Sequence, residues 1–588
     1  MFRKTIPSLF LSTSIAVSLL LLSAPHLSAL YRDAVGWPRL SAELGENIPT
    51  GQGIQVSMVE SLAENNYGPD PNNMDFSGKS IEFLSGETGV SEHATITGLL
   101  FFGNTFSIAP GIETIRVYQT NNWMGGGFLR ATGDERPRVE TSRIQNHSWT
   151  GGFPDQEMEV KANRRLDYAI ARDGFLAVTG MQNIPFELRG LMSHGYNTLA
   201  VGRVNGDHNR GGTRFDEPGR VKPDLVAPED LGMSNPAPIV SAAAALLLEQ
   251  ADRTPALENA RHHPQVIKSI LMAGATKAPF PEWQRNDQQP IDEVFGAGRL
   301  NVYHSHRILT GGEHAPANDA FAAPSGWHLG DTASGDSAVY LLSLDEDQET
   351  FTVNLTWHRL FNLEEADFQN ADPLVARLEL RLFEADGFAL GDEVQISADP
   401  VNNVQHLYIE DLPAGQYALR VDVIDDPTPD GVAYALAWNA IAVPPPPATF
   451  AQWQDRYFNP NEIEDPVISA PDADPAGHGV PNFLVFALAG NPHDQNRNLL
   501  PQPGETAIDG EPYLTLTYTR PREIDNVVYR IDGSSDLETW TTDIGIFVDE
   551  TIHGNGTVTR TYRDSEPITA HPNRFLILTV LGDDPTGD

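Results

Sequence analysis

The sequence predicts an α/β protein: a three-layer domain on a parallel sheet, then an antiparallel β-sandwich, then a small mostly-β module. Three observations carry this. From residue 51 to about 310, short apolar runs alternate with helical patterns, the signature of a parallel sheet covered by helices. From 335 to about 442 the apolar period becomes two, as in antiparallel strands with one buried face. The charge also changes near the middle: residues 31–310 hold 33 acidic and 25 basic side chains, residues 311–588 hold 47 and 12, and no lysine follows Lys277.

Residues 1–29 place Arg3 and Lys4 before an apolar run and end on small residues, the layout of a signal peptide cleaved after Ala29. The expected location is therefore secreted or periplasmic. No later run is apolar enough to span a bilayer, so no membrane partner is expected once the signal is removed. The short stretch before the first strand leaves no room for a folded pro-segment, again an expectation. In the first domain, 31–310, IQVSMV, FLAVTG and NTLAVG read as strands, and IVSAAAALLLEQ and HPQVIKSILMAGA as helices. The sandwich domain, 311–443, contains TFTVNLTWH, ARLELRLF and QYALRVDVI. Prolines 444–447 form a stiff linker. The last module, 448–588, has a helical stretch near 479–490 and strands such as YLTLTYTR and RFLILTV.

Composition narrows the function classes. A net charge of −41 argues against nucleic acid as a partner. The absence of cysteine excludes disulfides, thiol catalysis and cysteine-ligated metals.

The segment Lys222–Gln250 is the most informative. A strand-like piece ends at Ala227–Pro228, Gly232–Met233–Ser234 follows, and an apolar helix begins. Taken alone, a serine there fits a helix cap. Upstream, however, lie Glu60 at the end of a strand, His93 opening a helix, and Asn183 after another strand. Acyl transfer by a serine needs a histidine base, a carboxylate to orient it and donors for the oxyanion. A parallel sheet gathers such groups at its carboxyl edge.

In this order the motifs resemble the subtilisin-like serine peptidases. The matching pieces are VSMVES around Glu60, HAT at His93–Thr95, NHSW at 146–149, GRVKPDLVAP before the serine, GMSNPAP at Gly232–Pro238, and FGAGRLNV at 295–302 as a closing strand. The resemblance covers about 260 residues and implies a subtilisin-like three-layer domain. It also implies a serine endopeptidase acting on protein or peptide substrates, with Ser234 as nucleophile, His93 as base, Glu60 as the orienting acid and Asn183 as oxyanion donor. No cofactor is required for that catalysis, and a structural calcium stays open.

Departures from the family pattern leave alternatives open. Glu60 stands where Asp is usual, with Asp70 in YGPDPNN as a second acid. Met233 stands where Thr is usual. A second register puts Gly180–Met181 at the oxyanion position in place of Gln182–Asn183. A protease-like binding protein without activity is therefore a competing reading. An α/β-hydrolase esterase fits poorly, because its order is serine, acid, histidine. His147, His194 and His208 read as packing or loop residues, and His262 and His263 as surface residues. In the C-terminal module, DADPAGHGV resembles a bacterial calcium loop, but Ala476 and Val485 replace two acidic ligands, so the expectation is that calcium binding is lost.

Overall fold

In a computed structural model of the chain, residues 31–185, 190–228, 236–362, 373–428, 431–494, 499–571 and 573–582 are described. They divide into two compact units. One holds the residues up to 343 with 351–409 and 416–440; the other holds 344–350, 410–415 and the chain from 441 onward.

The first unit is built on a seven-stranded sheet: β1 Val56–Glu60, β2 Ser80–Phe83, β3 Thr114–Gln119, β4 Ile144–His147, β5 Leu176–Gly180, β6 Leu199–Arg203 and β7 Leu225–Ala227. The spatial order is β2-β3-β1-β4-β5-β6-β7, and each neighbouring pair is parallel. Every strand therefore delivers its carboxyl end to the same edge. All five residues of β1 are buried, as expected for a central strand covered on both faces.

Six helices matter for the site: α1 Trp37–Leu44, α2 Glu92–Phe102, α3 Gln156–Asp173, α4 Pro236–Arg253, α5 Pro264–Ala273 and α6 Val302–Gly311. Alternation along the strands sends Val56 and Met58 into the core shared with α2 and α4, and Val59 into the core shared with α3. The sheet is thus the middle of three layers. α4 packs on β4, β5, β6 and β7 and also touches α2, α5 and α6. That central position explains why α4 is apolar almost all round. Its one buried carboxylate, Glu249, accepts N–H groups from Thr50 and Gly51 (2.6 Å for Gly51) and Gln52 (3.0 Å). This ties the approach to β1 onto the helix. Gly51 sits there at φ 82°, and a Cβ would meet Ile112 Cγ1 at 2.7 Å, so both conformation and space require glycine.

The expected closing strand at 295–302 makes only isolated bridges, from Arg299 to Val226 and to Thr276 and from Gly296 to Asp292. Gly296 and Gly298 have φ values of 57° and 115° and turn the backbone out of the extended form.

The antiparallel part comprises β8 Ser325–Thr332, β9 Ser337–Leu344, β10 Gln348–Trp357, β11 Arg377–Asp386, β12 Ala389–Ser397, β13 Val404–Leu412, β14 Gly415–Asp425 and β15 Val432–Ala442. One sheet runs β8-β15-β10-β13; the other runs β9-β14-β11-β12, with the short strand Phe321–Ala322 beside β9. Strand residues on the first sheet join the core of the α/β layers: Trp327, Ala435 and Ala437 belong to it, and Trp327 Nε1 donates to Leu309 O at the end of α6.

Charges also cross this seam. Arg359, fully buried after β10, pairs with Asp167 of α3 and with Asp216, which also holds Arg164. Asn197, just before β6, donates its side-chain N–H to Arg359 O and accepts from Arg359 N–H at 2.8 Å. Asn403 of the sandwich donates to Tyr196 O. Below them Asp224 takes Lys222 at 2.8 Å and Lys268 at 3.6 Å.

The second unit carries the helix Phe450–Tyr457, closed by a Thr449–Gln452 capping box, and the short helix Asn482–Ala487. Its antiparallel strands form a four-stranded sheet ordered 502–508, 511–521, 557–563, 546–552, and a separate pair, 527–534 with 575–582.

Candidate functional site

Glu60 is the last residue of β1, paired in register with Gln119 of β3, and is fully buried at the carboxyl edge of the sheet. A carboxylate in that place needs a partner. It finds one in His93, the second residue of α2. The helix start is fixed locally: Ser91 caps it by accepting from Ala94 N–H, and Thr95 Oγ1 donates to Ser91 O while accepting from Asp70 N–H. So held, His93 Nδ1 lies 2.7 Å from Glu60 Oε2, and the imidazole is 37% exposed. Among the described residues, Nε2 of His93 has no hydrogen-bond partner. The ring is thus oriented from behind and open in front.

Burial pushes the Glu60 carboxyl above the ordinary carboxylate range, against the pull of His93. The hydrogen bond to Glu60 raises His93 above the ordinary imidazole value, with burial opposing. Glu60 Oε1 is buried and accepts no bond among the described residues, which adds to the cost of its charge. The second acid, Asp70, accepts from Asn72 N–H in a local turn at 3.0 Å. It is Glu60 that meets the imidazole.

A small cleft of ≈ 50 Å³ opens along the same sheet edge. Ser148–Thr150 after β4, Gly180 and Met181 at the end of β5, Asn183, and Pro236–Ala237 at the start of α4 line it. Asn146 ties these pieces together, donating to Ser148 Oγ and accepting from Ser241 Oγ of α4, both at 3.0 Å. Asn183 therefore borders the cleft. In the competing register, Met181 N–H already donates to Val201 O at 3.0 Å, so it is not available as an oxyanion donor. Ser234 and Met233 lie outside the described residues, two and three positions before Pro236.

The other histidines of this domain are differently placed. His147, fully buried, bonds Gln145 Oε1 and accepts from Trp149 Nε1, and burial pulls it down to about 3. Burial does the same to His194, and brings His208 to about 4. All three stay neutral at physiological pH and serve packing.

One residue escaped the sequence reading: Arg203, the last residue of β6, also lines the cleft. A cation closing an apolar strand, as in NTLAVGR, is the signal that could have found it.

Among the described residues no cluster of three or more His, Asp or Glu side chains is arranged for a metal ion. In the loop at 472–480, Asp474 uses its oxygens on His478 N–H and Gly479 N–H of the same loop.

No protein-family model matches the sequence, and a search of curated proteins gives no match. Among solved structures, the chain is similar to tripeptidyl peptidase 2 at 10% identity and a TM-score of 0.26, covering 83% of this chain and 53% of that one. The chain therefore spans about half the length of that structure. A part of it is similar to PliG of Aeromonas hydrophila, a periplasmic lysozyme inhibitor, at 14% identity and a TM-score of 0.13 over 22% of this chain and 96% of that one. Another likeness is to a family 35 carbohydrate binding module from an environmental isolate, at 19% identity and a TM-score of 0.12 over 20% and 73%. Likenesses this slight leave the reading of the site to its own geometry.

Proposed function

We propose that the chain is a secreted or periplasmic serine endopeptidase of subtilisin type. Residues 31–310 form the catalytic domain, and 311–443 and 448–588 are accessory modules. The observation that carries this is the 2.7 Å contact between the buried Glu60 and the half-open His93, at the sheet edge where Asn183 and the start of α4 meet. In the proposed reaction Ser234 Oγ attacks the peptide carbonyl while His93 Nε2 takes its proton. Glu60 holds the Nδ1–H tautomer and stabilises the imidazolium. Asn183 and the Ser234 N–H receive the oxyanion. His93 then passes the proton to the leaving amine, and water completes the cycle by the same route.

One observation favours the competing reading of an inactive, protease-like binding protein. Glu60 is fully buried with one oxygen unpaired, and a carboxyl that stays protonated there would not stabilise an imidazolium. The test is direct. A fluorophosphonate probe and a protein substrate are offered to wild type and to Ser234→Ala. Labelling and hydrolysis by wild type alone are expected; equal behaviour of the two proteins removes Ser234 as the nucleophile.

A further inference from the structure

We infer that Arg203 makes the cleft selective for a substrate residue that carries a carboxylate, an inference that rests on the peptidase reading. Arg203 is anchored at both ends of its side chain. Its backbone N–H donates to His208 Nδ1 at 3.0 Å, and Nη1 donates to Asp207 O at 2.9 Å. What it lacks is an anion. No carboxylate lies within ion-pair distance of it among the described residues, and its buried Nε has no acceptor.

Several other guanidinium groups of the chain do meet an acid. Acidic residues outnumber basic ones by 80 to 39, so carboxylates are in excess. The buried guanidinium of Arg359 holds two carboxylates, and Arg164, Arg172 and Arg574 each hold one. Leaving a partly buried guanidinium without a counter-charge is unfavourable, and an incoming carboxylate would relieve that cost with charge-assisted hydrogen bonds.

The surroundings favour that ligand. Trp149, Thr150, Met181 and Val201 bring no charge to the cleft and partly shield it from water, which strengthens an ion pair formed inside. The cleft adjoins Asn183 and the start of α4; with Asn183 as the oxyanion donor of the proposed reaction, the group entering it would belong to a substrate residue near the bond under attack.

The experiment compares kcat/KM of wild type on matched peptide anilides ending in Glu, Gln or Phe. A parallel arm uses longer peptides with free or amidated C-termini. Glu is expected to exceed Gln by about tenfold or more, with Phe as the uncharged apolar reference. Arg203→Gln should bring the Glu/Gln ratio to about one, and Arg203→Lys should keep part of it. Preference for a free over an amidated C-terminus, lost in Arg203→Gln, would also support carboxylate recognition and assign it to the terminal group. Gln equal to or better than Glu in wild type, with no C-terminal preference, overturns the inference, as does a preference that survives in Arg203→Gln. Fluorophosphonate labelling separates the two levels: a labelled enzyme without the preference overturns only the Arg203 inference, whereas an unlabelled protein that cleaves nothing overturns both.

Discussion

Two polar regions of the first unit are built in opposite ways. At the seam between the α/β layers and the sandwich, charges meet charges: Arg359 lies between Asp167 and Asp216, and Asp224 takes Lys222 and Lys268. At the carboxyl edge of the sheet, groups are left unmatched. Among the described residues Glu60 Oε1 has no donor, His93 Nε2 no partner and Arg203 no carboxylate. The seam's charges satisfy one another continuously and so hold the layers together. The edge keeps part of its hydrogen-bonding capacity unused, which is what the proposed reaction requires of it.

Variants can break this contrast. The largest effect is expected from Glu60→Gln, which keeps the shape and removes the charge. Loss of the orienting carboxylate should lower kcat by about 10⁴-fold. The same variant sharpens the pH argument. His93 works as a base only when neutral, and its bond to Glu60 raises it above its ordinary value of 6.5. In wild type kcat/KM should therefore rise with pH through a midpoint above 6.5, and the midpoint should move down in Glu60→Gln. A rate within tenfold of wild type would remove Glu60 from the mechanism.

At the seam, Arg359→Met leaves Asp167 and Asp216 with a buried charge that has lost its main partner. Breaking a buried pair in this way costs about 3–5 kcal/mol, read by denaturant unfolding. An unchanged midpoint would show that the seam contributes little to stability. Asn183→Ala should cost about 10²–10³ in kcat with little change in unfolding, which keeps the edge separate from the seam.

The smallest effect concerns Lys277. It is buried between Trp283 and Tyr408, donates to Ala275 O, and has no carboxylate partner among the described residues. Burial brings it down to about 7 from 10.5. Between those values the unfolded chain binds the extra proton, so stability rises with pH across that window. Lys277→Met should flatten the rise by up to one proton's slope, ~1.4 kcal/mol per pH unit. Equal slopes in both proteins would show that Lys277 is solvated.

Much of the frame was legible in the sequence. Apolar runs such as IQVSMV have to be buried on both faces, and the helical repeat of PAPIVSAAAALLLEQ has to be buried nearly all round. The period-two strands after 335 do form antiparallel sheets, but where one buried face was expected, the sheet against the α/β layers is buried on both, as in Gln348–Trp357 and Val432–Ala442. Glu60 and His93 were also legible, because each sits where an element ends or begins and where side chains converge in a parallel fold. The closing strand was misjudged because two glycines turn the chain within it.

Sequence by itself therefore determined the local periods, the order of the layers and the placing of Glu60 and His93 at element ends. Tertiary structure alone decided which groups share a space. It brought Glu60 rather than Asp70 to His93, set Arg359 between two carboxylates distant in sequence, and left Arg203 beside Asn183 without one among the described residues. The physical reason is that period and propensity act over a few neighbouring residues. Whether a charge is matched depends on contacts between residues far apart in the chain, and those exist only once the layers have packed.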